Sequence, residues 1–65
     1  MSRHDYQLAL KISRDCDGEF AAIIMAAIRT ADYRNVLKLA EAFPAIATEL
    51  RDRMDAPGGR LAGDP

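Results

Sequence analysis

The 65-residue sequence has one histidine and one cysteine, and each scarcity closes a route to function. A structural zinc site takes four protein ligands and a catalytic one three. His4 and Cys16 stand twelve residues apart with no second ligand at metal spacing, so His4 reads as a solvated residue. One cysteine closes no intrachain disulfide. A Cys–His nucleophile is disfavoured too, because Asp15 and Asp17 flank Cys16, and carboxylates beside a thiol oppose the thiolate that a nucleophile needs. Glycine-rich phosphate loops are missing. Gly58-Gly59 lies in a tail, with no strand before it and no helix after it. Asp15, Asp17 and Glu19 are close together, but the segment is too short for a twelve-residue calcium loop; helix capping accounts for them. The sequence therefore offers no catalytic residue, no metal ligand set and no cofactor motif, and it points away from an enzyme.

Charge of one sign is also lacking. Nine basic and ten acidic residues are scattered along the chain, for a net charge of −1. Without a basic patch, binding to a phosphate backbone has little to work with, which argues against nucleic acid as the partner. The longest apolar run has nine residues, Phe20 to Ile28, while a membrane-spanning helix takes about 20. No charged-then-apolar segment opens the chain, so no signal peptide is expected. A reducing cytoplasm is the expected compartment.

That apolar run is the chain's main feature. Four of its nine residues are Ala and one is Met, good helix formers and poor strand formers. At about 100° per residue, Phe20, Ile23, Ile24, Ala27 and Ile28 fill one arc. Ala21, Ala22, Met25 and Ala26 fill most of the other. A helix that is apolar all round is normally buried all round. Either the chain's other helices cover both faces, or the Ala22/Met25/Ala26 side lies in an interface with a second copy or another protein.

The remaining elements follow in order. Ser2 and Asp5 resemble a capping box, with Asp in place of the usual Glu, ahead of a helix over about 3–14, whose apolar arc holds Leu8, Ile12, Ala9, Tyr6 and Leu10. Asp15-Cys16-Asp17-Gly18 breaks it, with Asp17 as the expected cap of a second helix over about 18–30. Asp32 or Thr30 caps a third over about 33–43, with Leu39, Phe43, Val36, Ala40, Tyr33 and Leu37 on its apolar side. Pro44 suits the first position of a fourth helix over about 44–54, which carries a narrow stripe of Ile46, Ala47, Leu50 and Met54. Three glycines and two prolines in residues 56–65 predict a disordered tail. The expected fold is all-α, a compact bundle of four short helices, with residues 1–55 as the domain.

Two sets of exposed residues bear on function. Arg29, Tyr33, Arg34 and Lys38 join Ala22, Met25 and Ala26 as candidates for a protein interface. Arg34, Asn35 and Lys38, just after a short turn, also fit the second helix of a helix-turn-helix DNA reader, although Glu41 shares their face. Tyr6 and Tyr33 border their apolar arcs, either as a core rim with the hydroxyl in water or as partner hot spots.

The pattern Asp17-Gly18-Glu19-Phe20-Ala21-Ala22, Ala31-Asp32, Lys38-Leu39 with Phe43-Pro44, and Arg53 ahead of Ala56-Pro57-Gly58-Gly59 resembles small uncharacterised all-helical proteins of bacterial phages and other mobile elements. The likeness covers most of residues 5–59. It implies a bacterial cytoplasm, or the host cytoplasm for a phage-encoded chain, and action by binding another protein, as anti-CRISPR and similar anti-defence inhibitors do. The sequence thus predicts a non-enzymatic protein-interaction module, inhibitor or regulator, with homodimer formation as one form of that interaction. A DNA-binding helix-turn-helix or a structural assembly component are the alternatives.

Overall fold

A computed structural model describes residues 2–65. Four α-helices follow one another: α1 (Arg3–Asp15), α2 (Phe20–Thr30), α3 (Tyr33–Ala42) and α4 (Pro44–Asp55). A single 3-10 turn (Pro57–Gly59) completes the order, and no strand occurs among the described residues. The all-α class with four helices is the one that the periodicity predicts.

Short-range chemistry sets most of the boundaries. The Ser2 hydroxyl accepts the Asp5 N–H at 3.2 Å, and the Asp5 carboxylate accepts the Ser2 N–H at 3.1 Å. Two orphan donors of the first turn are satisfied in this way. Asp32 accepts the Asn35 N–H at 2.8 Å and starts α3. Thr30 is not a cap; its hydroxyl donates to the Ala26 carbonyl at 3.0 Å as the last residue of α2. Phe43, at φ −131° and ψ 66°, both ends α3 and begins α4. The residue before a proline is pushed out of helical geometry, and Pro44 takes the first helical position, where its missing N–H costs nothing.

The start of α2 differs from expectation. Asp17 does not cap it; Glu19 occupies that position without a side-chain bond. Asp17 instead belongs to the end of α1, in the left-handed region at φ 49°. Its N–H donates to the Arg14 carbonyl at 3.1 Å, and the Gly18 N–H donates to the Ser13 carbonyl at 3.3 Å. These two bonds make a Schellman closure, which needs a left-handed residue just past the helix end. Asp is among the few non-glycine residues that tolerate that conformation. The demand for closing α1 wins over the demand for capping α2.

Packing is uneven. α2, α3 and α4 pack on one another, and α4 also packs on the 3-10 turn. The rings of Phe20 and Phe43 meet edge to face, with centroids 5.4 Å apart. Leu50 is the one buried hydrophobic side chain among the described residues, at 9 % exposure. α1 has no comparable packing on any other helix, and every one of its residues is exposed. The molecule therefore measures 41 × 27 × 18 Å, with a radius of gyration of 13.3 Å. A compact chain of this length has a radius of about 11 Å.

The tail also differs from expectation. Arg53 on α4 holds it down. One guanidinium nitrogen donates to the Gly59 carbonyl at 2.8 Å and to Asp64 at 2.6 Å; the other donates to Asp64 at 3.0 Å. Asp64 also accepts the Leu61 N–H at 3.1 Å. Glycines and prolines forbid a long helix here, but they suit a tight path: Gly58 and Gly59 sit at φ 63° and 69°, where a side chain would strain the backbone.

Candidate protein-interaction surface

The distribution of apolar side chains defines the candidate surface, which has two parts. The first is α1. Its amphipathic arc is intact, yet Tyr6, Leu8, Leu10 and Ile12 all face outward, with Leu8 43 % exposed and Ile12 47 %. The capping box and the Schellman closure fix the two ends of this helix and thereby align the arc along one side.

The second part is a groove of about 300 Å³ where α2, α3 and α4 meet. Ile28, Val36, Ala40, Ala47, Leu50 and Met54 supply its apolar lining; Arg51 and Asp55 are its charged members. Tyr33 and Leu37 continue it along α3. Tyr33, Val36, Leu37 and Ala40 follow the spacing that places residues on one helix face, and Tyr33 is 77 % exposed. Leu50 forms the floor, since it is the buried member of the set.

The residues singled out from the sequence fall on different parts of this surface. Ala22 and Met25 are half-buried, while Ala26 and Arg29 are exposed. The small-residue side of α2 is thus partly covered by the chain itself. Tyr33 belongs to the α3 extension of the groove. Arg34, Asn35 and Lys38 are all exposed, and Arg34 and Lys38 line up with Glu41 on the flank of α3 that adjoins Leu37. The sequence places the arc of α1 and the residues Ile28, Val36, Ala47, Leu50 and Met54 on the apolar sides of their helices. The groove was not visible there, because a helix wheel shows which side is apolar and not whether a neighbour covers it.

No family model, curated protein or solved structure matches the chain. The surface has to be read from its own chemistry.

That chemistry is apolar contact with a charged border. Among the described residues, no three of His, Cys, Asp and Glu come together as metal ligands. No helix among them is long and apolar enough to cross a membrane. Cys16 is half-buried at the root of α1. The strongest electrostatic feature is the Arg53–Asp64 pair, which ties the tail to α4 and does not line the groove. Hydrogen bonding to Arg53 and to the Leu61 N–H holds the Asp64 carboxyl down at about 2, and the same bond with Asp64 raises Arg53 further above its usual range. The pair organises the tail and presents no unpartnered charge to a ligand.

Proposed function

We propose that the chain is a non-enzymatic protein-interaction module, which acts by docking apolar helix surfaces against a protein. One observation carries this reading. Among the described residues a single hydrophobic side chain is buried, whereas eight large ones, on α1, α2, α3 and α4, are exposed. Scattered surface hydrophobics are ordinary, but four on one helix, Tyr6, Leu8, Leu10 and Ile12, beside an open apolar groove support an interaction site. Tyr6 and Tyr33 suit the role of anchors, since tyrosine is enriched among residues that dominate binding energy. Arg29, Arg34 and Lys38 then serve as a polar border.

The setting we propose is a bacterial or host cytoplasm, with the chain as a phage or mobile-element inhibitor or regulator in the manner of anti-defence proteins. The resemblance of residues 5–59 supports that setting. The DNA-binding alternative has weaker support: Arg34, Asn35 and Lys38 are exposed together, but Glu41 shares the flank and the net charge is −1. The two readings differ in salt dependence, because apolar docking survives high salt and phosphate contacts do not.

Gel filtration of the labelled chain, alone and in bacterial extract, tests the proposal. The expected result is elution well above the 7.2 kDa of one chain in at least one of the two, and return to the single-chain position for Ile12→Asp. Elution as a single chain in both would show the reading to be wrong.

A further inference from the structure

The area left uncovered can be put in numbers. The chain exposes 5564 Å². A folded monomer of 7.2 kDa is expected to expose about 4,100 Å². The excess is about 1,400 Å² per chain, or about 2,800 Å² for two chains. Obligate homodimers bury about 2,000–5,000 Å² in total. The shortfall in burial is thus the size of a homodimer interface.

The shapes agree with the area. The chain carries a projecting helix with one apolar side, and an apolar groove, two parts of the kind that fit each other. It does not close one on the other, because the turn from Cys16 to Glu19 directs α1 away, and the Schellman bonds of Asp17 and Gly18 fix that turn. A two-fold axis lets each copy give its helix and receive the other's. Lengths match as well: α1 has 13 residues and α4 has 12, about 20 and 18 Å at 1.5 Å per residue. α1 also needs a seat. An isolated helix of its length is marginal in water, and its capping box is a local aid that does not replace packing.

From these observations, and resting on the interaction-module reading above, we infer that the chain forms a homodimer by exchange of α1. The Leu8–Ile12 side of one copy's α1 lies in the groove formed by Ile28, Val36, Ala40, Leu50 and Met54 of the other. Each half is then a four-helix unit completed in trans. Arg34 and Lys38 stay outside the exchanged contact and remain free for a further partner.

Light scattering on the purified full chain over a wide concentration series is the first measurement, and twice the single-chain mass is expected. Ile12→Asp and Met54→Asp, both at exposed positions of the lone chain, each restore the single-chain mass while far-ultraviolet circular dichroism still reports helix. Cross-linking gives a second readout that does not depend on those variants folding. In a Cys16→Ser background, chains bearing Ile12→Cys are mixed with chains bearing Met54→Cys and oxidised. Exchange predicts a disulfide between the two kinds of chain. Disulfides only between Ile12→Cys chains would mean that α1 pairs with α1, and would overturn the exchange. A purified single chain that enters a larger complex in extract would overturn the dimer and leave the module reading standing. A single chain in both conditions would overturn both.

Discussion

Truncating Leu50 to alanine tests the packing at its centre. Leu50 is the only buried hydrophobic side chain among the described residues, and it forms the floor of the groove between α2, α3 and α4. Leu→Ala in a core costs about 2–5 kcal/mol, the loss rising with the cavity left behind. Here the site already opens onto a groove, so truncation deepens an open hollow and creates no sealed void. The lower half of the range applies, about 2–3 kcal/mol. For a domain of 60–100 residues each kcal/mol moves the melting midpoint by about 4–8 °C, so Leu50→Ala is expected to melt about 10–20 °C below the parent. Chains of this size hold only about 3–5 kcal/mol in total, so part of the variant is unfolded at room temperature. Thermal melts followed by circular dichroism read this directly, at one fixed protein concentration. Leu37→Ala, at a site 52 % exposed, serves as the matched control and is expected to lose under about 1 kcal/mol. If Leu50→Ala melts within a few degrees of the parent, or no lower than Leu37→Ala, the three helices do not meet on Leu50 and the groove is not where the structure places it.

Two further outcomes follow from the turn and the tail. Asp17→Gly is expected to stabilise α1 by about 0.5 kcal/mol, because glycine takes the left-handed position without the Cβ clash, and Asp17→Ala to cost about 1 kcal/mol. A loss of helicity with glycine would instead mark Asp17 as the cap of α2. Acid is expected to release the tail. The Asp64 carboxyl is held at about 2, against 3.8 unperturbed; a depressed carboxyl stabilises the docked form fully above its free pKa, and that stabilisation drains away as pH falls through the docked one. The Leu61 amide resonance should therefore move between about pH 4 and pH 2, and Asp64→Asn should give the released position at neutral pH. A Leu61 signal indifferent to both changes would refute the clamp.

Much of the fold was legible because its punctuation is local. Ser2 with Asp5, Asp32 with Asn35, and Pro44 after Phe43 each act within three residues, and each shows in the sequence. What escaped depends on choices between neighbours or across distance. Asp17 can close one helix or open the next, and only the chain path decides. Arg53 and Asp64 are eleven positions apart, so their bond cannot be read from either residue. The apolar arcs of α1 and α2 were legible as arcs, but their coverage was not. The sequence leaves α2 open between core and interface, and no residue of α1 or α2 is buried in the single chain. The candidate residues behave similarly: the edge position of Tyr33 fits a core rim or a partner hot spot, whereas Met54 and Val36 become site residues only when three helices are brought together.

The brevity of the joints has a kinetic consequence. Ala31 and Asp32 alone separate α2 from α3, and Phe43 alone separates α3 from α4. Little loop entropy stands between these helices and their contacts, and helical proteins of such local topology fold in microseconds to milliseconds. The three-helix unit is therefore assembled almost as soon as its last helix exists, faster than any encounter between molecules at ordinary cellular concentration. Whatever finally covers α1 meets a groove that is already formed.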